Sequence, residues 1–252
     1  MLELSADLVA LLVGAAFIAG AIDSIAGGGG LITVPALLLA GLPPVTALAT
    51  NKVQGAFGSG MAAISYAASG LVDLRGQIRP AIASFLAALA GSSLVPFIPT
   101  GLLRLILPAV LIAIALFFAL KPGLSDEDRI ERLPPAFYSI AVAPLIALYD
   151  GLVGPGAGSF FMIGFVLLAG YGVLKATAHT KLLNFASNLG SIIAFALAGA
   201  PLWGLGLAMG LAQAAGARVG ARLAVRSGAR LIKPLLVATS TVLALRLIWQ
   251  MA

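Results

Sequence analysis

Apolar residues in this chain fall into blocks separated by short stretches of Gly, Pro and polar residues, and the block lengths follow an ordered pattern. The blocks lie near residues 6–25, 31–42, 44–69, 77–97 and 102–120, and again near 136–153, 158–170, 173–198, 201–222 and 234–251. Most approach or exceed the roughly 20 apolar residues that carry a helix across a bilayer. The second block of each set has only about a dozen residues, and at about 1.5 Å per residue it cannot cross a hydrocarbon core about 30 Å thick. Each short block follows a run rich in glycine, so the pattern predicts a broken or re-entrant helical element in each set.

The two sets share landmarks. Asp23 precedes Gly27, Gly28, Gly29 and Gly30, and Asp150 precedes Gly154, Pro155, Gly156, Ala157 and Gly158. Thr50-Asn51-Lys52 has its counterpart in His179-Thr180-Lys181, and Arg104 with Pro108 in Arg230 with Pro234. Four landmarks recurring in order, at offsets of about 126 to 129 residues, mark two homologous halves. The chain thus reads as one membrane domain, with repeat one at 1–120, a connector at 121–135 and repeat two at 136–252. The connector holds the one strongly charged run, Asp126, Glu127, Asp128, Arg129, Glu131 and Arg132.

Composition strengthens this picture. Of 252 residues, 61% are hydrophobic and 10% charged, and mean hydropathy is +1.10, which excludes both an ordinary soluble domain and a disordered chain. The formal net charge of +6 suits cytoplasmic loops of a membrane protein better than nucleic acid. If each short block folds back to the face it left, Arg75, Arg79, Lys121, Arg129, Arg132, Lys175, Arg222, Arg226, Arg230 and Lys233 share one face and Arg104 stands alone on the other. If each crosses once with its neighbour, the same residues divide almost evenly. The positive-inside rule favours the lopsided arrangement, which makes the repeats inverted, the basic loops cytoplasmic and both termini external. The expected fold is an all-α polytopic membrane protein of two inverted repeats, with about eight to ten hydrophobic segments.

Inverted repeats with interrupted helices at matching places point to a secondary transporter whose site lies near the bilayer midplane. Irregular backbone is tolerated at that depth where it lines a cavity, and helix N-termini near Leu31 and Ser159 would aim N–H groups and positive dipole ends at an anion. The substrate candidates are therefore Gly27, Gly28, Gly29, Gly30, Gly156, Gly158 and Ser159. Close helix packing is the alternative role of such glycines. Lys52 and Lys181 sit at equivalent places in apolar segments, where insertion costs about 2.5–3.5 kcal/mol and marks a functional residue by default. They are either countercharges for the anion or partners of Asp23 and Asp150, or both in turn. Asn51, Gln54, Thr180, Asn184 and Asn188 accompany the lysines as ligand contacts or as polar glue between helices. Asp23, Asp150 and His179 are the candidates for proton coupling, with loop anchoring as the alternative for the aspartates and a helix-end role for the histidine. Gly206 with Gly210, and Gly216 with Gly220, have the spacing of packing surfaces. With no cysteine and a single histidine, no metal site or cofactor is expected.

Asp23-Ser-Ile-Ala-Gly-Gly-Gly-Gly-Leu-Ile, Pro35-Ala-Leu-Leu, Gly41-Leu-Pro-Pro and Ala49-Thr-Asn-Lys52 resemble the sulfite exporter TauE/SafE (TSUP) family, as do the second glycine loop and Thr180-Lys181. The resemblance implies a multi-pass permease of the bacterial or archaeal cytoplasmic membrane for small sulfur-containing anions such as sulfite, sulfoacetate, other organosulfonates or thiosulfate. Its partners would be that anion and the lipid bilayer. Pro155 and Ala157 depart from the glycine run of the first half, which speaks against a strictly symmetric site. A permease for a small carboxylate or another non-sulfur anion is the main alternative. A hydrolase built on Asp23 and Asp150 lacks the Gly-x-Gly-Asp sequence of intramembrane aspartyl proteases and leaves the recurring lysines unexplained.

Overall fold

The computed structural model describes residues 4–99, 101–102, 133–134, 137–228, 230–232 and 234, and every regular element among them is helical. Ser5 opens helix α1 (Ala6–Ala26), its hydroxyl accepting the Leu8 main-chain N–H at 3.3 Å. This is the usual service of an N-cap serine. The helix stops at Gly27 and Gly28, whose φ angles of +80° and +88° are open to glycine without a Cβ penalty. Helix α2 (Gly29–Leu39) then starts, followed by α3 (Pro44–Ala68), with proline in its first turn, and α4 (Leu74–Leu94), capped by Asp73 and extended by a 3-10 turn at Val95–Phe97.

The second series begins with a π-helical turn (Tyr138–Val142) that runs directly into α5 (Ala143–Leu152). Gly154 and Gly156, with φ of +91° and +83°, break the chain before α6 (Ala157–Leu167), which is followed by α7 (Val173–Leu197) and α8 (Trp203–Ser227). These helices coincide within a few residues with eight of the segments expected from the hydrophobic pattern. The expected segments near 102–120 and 234–251, the charged connector, and Arg104, Pro108 and Lys233 lie outside the described residues but for a few positions. The short helices begin at Gly29 and Ala157, two residues before the expected Leu31 and Ser159. The left-handed Gly28 and Gly156 act as their N-caps, so the next residue is already helical.

Ala6–Ala26, Leu74–Phe97 and Val173–Leu197 are long and apolar enough to cross a membrane. Helices α3 and α8 have 25 residues each, about 37 Å of helix, but carry more polar residues. The 11-residue α2 and α6 reach only about 16 Å. The polarity of the molecule is turned outside in. On α4, Ile78, Ile82 and Leu86 form a stripe at four-residue spacing, each more than half exposed, whereas Asp23, Lys52, Asp150, Lys181 and Gln213 are buried. An apolar rim around a polar interior suits lipid outside and a polar pathway within.

The helices exchange partners between the two series. Helix α8 packs on α1 and α3, α4 packs on α5 and α7, and α3 meets α7 between them. Exchanging α1–α4 with α5–α8 maps these pairings onto themselves. Small residues make the close crossings possible: Gly216 and Gly220 lie directly against the α1 backbone, and Gly91 and Gly151 bring α4 and α5 together, with no room for a Cβ at any of the four. Gly206 and Gly210 face Val53 and Phe57 of α3. Such contacts are how helices associate where lipid removes the hydrophobic drive.

Candidate functional site

Two broken helices place their breaks against each other. A Cβ on Gly27 would stand 2.7 Å from the Ser159 nitrogen and 3.0 Å from the Gly158 carbonyl carbon, and one on Gly30 3.3 Å from the Pro155 Cα. The Ser159 hydroxyl donates to the Ala26 carbonyl at 3.2 Å. The end of α1 is thus joined to the start of α6.

The charged residues cross between the two series. Lys52 of α3 donates to Asp150 Oδ1 of α5 at 2.6 Å, while Lys181 of α7 bonds the main-chain oxygen of Asp23 in α1 and lies 3.3 Å from its Oδ2. All four side chains are buried. Removing such charges from water costs several kcal/mol each, offset only by close pairing and further hydrogen bonds. Those further bonds differ between the pairs. Asp23 Oδ1 accepts the Gly29 N–H at 3.0 Å, capping α2 with a carboxylate. Asp150 Oδ2 accepts the Ser187 hydroxyl.

A small, mostly polar cavity opens between these elements. Its walls are Asp23, Gly28, Gly29, Gly30, Asn51, Gly55, Asp150, Gly154, Gly156, Ala157, Gly158, Asn184, Asn188 and Gln213. The main-chain N–H groups of Gly30 and Gly158, at matching places in the first turns of α2 and α6, donate to no acceptor among the described residues. They belong to the orphan donors of a helix start. Each has a side-chain amide beside it: Asn51 Nδ2 lies 3.5 Å from the Cβ position of Gly30, and Asn184 Nδ2 lies 3.2 Å from that of Gly158. The Asn51 oxygen accepts Thr33 Oγ1 at 2.6 Å and Gln54 Nε2 at 2.9 Å, so that amide is tethered at one end and leaves its other end to the cavity.

Of the residues singled out in the sequence, Asp23, Gly28, Gly29, Gly30, Asn51, Asp150, Gly156, Gly158, Asn184 and Asn188 share this wall. Gly27 and Ser159 form the junction behind it. Gln54 supports Asn51. Lys181 lies behind Asp23, and Lys52 behind Gly154, its Nζ 3.3 Å from the Cβ position of that glycine. Thr180 is buried and its hydroxyl has no partner among the described residues. His179 stands elsewhere, its Nε2 accepting the Asp73 N–H at 3.2 Å, its Nδ1 2.8 Å from the Lys175 carbonyl, and its ring edge-on to Tyr171. Gly55 and Gln213 are cavity residues that the sequence reading missed. Gln213 was signalled only as a lone amide between Gly210 and Gly216 in a helix of small and apolar residues.

The sulfite exporter TauE/SafE family model matches residues 12–247. The chain is 55% identical over 248 residues to a probable membrane transporter protein, ORF9, of Sinorhizobium sp., covering 98% of this chain and 95% of that one. It is 42% identical to the probable membrane transporter protein YfcA of Escherichia coli K12, over 93% of this chain and 87% of that one. A probable membrane transporter protein of Haemophilus influenzae is 39% identical, over 98% and 97% of the respective chains. No solved structure matches. A near-complete family match, close relatives all named as membrane transporters, and a polar cavity inside an apolar shell together make this chain a membrane transporter of the sulfite exporter TauE/SafE family.

Proposed function

We propose that the chain is a secondary transporter that moves a small sulfur-containing anion, such as sulfite, sulfoacetate or another organosulfonate, by alternating access. The observation that carries this reading is the matched pair of unpartnered N–H groups, Gly30 and Gly158, each flanked by an asparagine amide on one cavity wall. Helix N-termini with free donors favour anions through both hydrogen bonding and dipole. A tetrahedral or pyramidal oxyanion has several oxygens and can accept from both helix starts at once. Lys52 and Lys181 supply countercharge from behind the wall, through or in place of the carboxylates they hold.

In this reading the two series are inverted repeats that rock against each other. The crossed pairs Lys52–Asp150 and Lys181–Asp23 tie one repeat to the other and yield as the site changes sides. The basic loops face the cytoplasm.

The test is counterflow in proteoliposomes with sulfite, thiosulfate and sulfoacetate beside acetate and malonate. The reading expects exchange of at least one sulfur oxyanion at a rate at least tenfold above that of the carboxylates. Preference for carboxylates would assign the cavity to that class, and no anion exchange at all would remove the reading.

A further inference from the structure

Sequence leaves three candidates for a proton-coupling group, and we infer that Asp150, working with the Ser187 hydroxyl, is the site that takes up a proton when the anion binds. The inference rests on the anion-carrier reading above and adds to it the coupling ion and the residue that holds it.

Charge balance makes a partner ion necessary. The carboxylates on the cavity wall, Asp23 and Asp150, are matched one for one by the ammonium groups of Lys52 and Lys181. An anion added to this buried and electrically balanced set leaves one uncompensated negative charge, which a low-dielectric site strongly disfavours. One proton per anionic charge restores the balance. Among the described residues of the cavity wall, the groups that can accept one are the two carboxylates.

Hydrogen-bond chemistry separates them. Asp23 faces donors that cannot accept: the Gly29 N–H on Oδ1 and the Lys181 ammonium on Oδ2. A carboxylic O–H formed there finds no acceptor in either partner. Asp150 meets the Lys52 ammonium on Oδ1, but on Oδ2 it meets a hydroxyl, which both donates and accepts. Ser187 Oγ also lies 3.0 Å from the Asn184 carbonyl. With Asp150 ionised, Ser187 donates to the carboxylate. With Asp150 protonated, the acid donates to Ser187 and the serine hydrogen turns to the Asn184 carbonyl, with no heavy atom displaced.

The same proton frees the countercharge. Once Asp150 is neutral, the Lys52 ammonium has lost its partner, and it stands directly behind Gly154 on the cavity wall. The anion takes the place of the carboxylate, so one bound anion and one bound proton arrive together and the buried charge is unchanged. Among the described residues, the helices packed on α5 bring no other charged group to Asp150. Arg75 and Arg79 of α4 are exposed in its first turns, α6 has no ionisable residue, and of the α7 cations Lys181 is engaged by Asp23 while Lys175 lies over the Tyr171 ring. Tyr149, the neighbour in sequence, gives its hydroxyl to the Pro155 carbonyl.

Infrared difference spectroscopy of the full chain in lipid, perfused with and without sulfite or sulfoacetate, tests this directly. The expected result is a protonated-carboxyl band that appears with the anion, disappears in Asp150→Asn, persists in Asp23→Asn, shifts in Ser187→Ala and returns to its position in Ser187→Thr. The serine variants keep the test decisive should Asp150→Asn fold poorly, since both leave the ion pair in place. A band that survives in Asp150→Asn, that vanishes in Asp23→Asn alone, or that does not change in Ser187→Ala overturns the assignment. So does anion binding, seen in the S–O bands, that needs sodium and brings no carboxyl protonation. Absence of any bound-anion band instead overturns the carrier reading on which the assignment stands.

Discussion

The Asp23–Lys181 and Asp150–Lys52 pairs use the same residue types, about 127 to 129 positions apart, and both cross between the two helix series. Their third partners differ. Asp23 is fixed by a main-chain N–H at the start of α2, and Asp150 by a hydroxyl on α7. A main-chain N–H cannot accept the hydrogen of a carboxylic acid, whereas a hydroxyl donates to the carboxylate and accepts from the acid. Two buried sites of like charge thus differ in their third partner, and on the assignment proposed above Asp150 is the one that takes up the proton.

The largest effect that would break this comparison is removal of one lysine. Lys181→Ala and Lys52→Ala each leave a buried carboxylate without its cation, a loss expected to cost about 3–5 kcal/mol and to show as a lower melting temperature in detergent. Removing both partners, as in Lys52→Met with Asp150→Leu, is expected to restore most of that stability and none of the anion flux. Restored flux in the double variant would strip the pair of any role in transport.

Next in size are two glycines of the cavity wall. Gly154→Ala places a methyl 3.3 Å from Lys52 Nζ at a φ of +91°, a strain of roughly 1–3 kcal/mol, and anion exchange is expected to fall at least tenfold. Gly158→Ala presses on the movable Asn184 amide at 3.2 Å, with Asp23 Oδ1 and Gly27 Cα at an ordinary contact distance of 3.6 Å, and is expected to lower exchange severalfold with a nearly normal melting temperature. A larger effect from Gly158→Ala than from Gly154→Ala would reverse the ranking of the two contacts.

A smaller effect is expected from Gln213→Leu. The Gln213 Oε1 is buried with no partner among the described residues, so its loss should leave stability unchanged or slightly improved, while the apparent KM for the anion rises about threefold to tenfold. Smallest is Thr50→Val. Thr50 Oγ1 accepts the Leu202 N–H at 3.1 Å, just as His179 Nε2 accepts that of Asp73, and each tethers the residue that opens the fourth helix of the other series. The loss is expected to be about 1 kcal/mol, read as a shift in melting temperature.

These paired contacts also show what was legible in the sequence. The breaks at Gly27–Gly28 and Gly154–Gly156 could be read because positive φ leaves a compositional mark, and the lengths of α2 and α6 followed from the apolar blocks. Which lysine meets which aspartate could not be read, because both arrangements satisfy the same spacing and the crossed pairs form only across the two series in the folded chain. Asn51 and Asn184 do the same work beside Gly30 and Gly158, yet the position matching Asn51 is Thr180 and the one matching Asn184 is Gly55. The likeness lies in where the amides arrive and not in aligned letters. His179 drew notice as the lone histidine, but its partners are a helix-start N–H and a carbonyl of its own helix, which put it at a helix junction away from the cavity.

The central claim is that the cavity between the two breaks holds the transported anion, and the absence of cysteine from the chain makes one measurement direct. Ala157→Cys introduces a single thiol at the start of α6 on the cavity wall. The account predicts that a water-soluble methanethiosulfonate reagent reaches it from either side of the membrane, and that sulfoacetate slows the reaction at least fivefold while acetate does not. A thiol that reacts only with lipid-soluble reagents, or at a rate no anion alters, would contradict it.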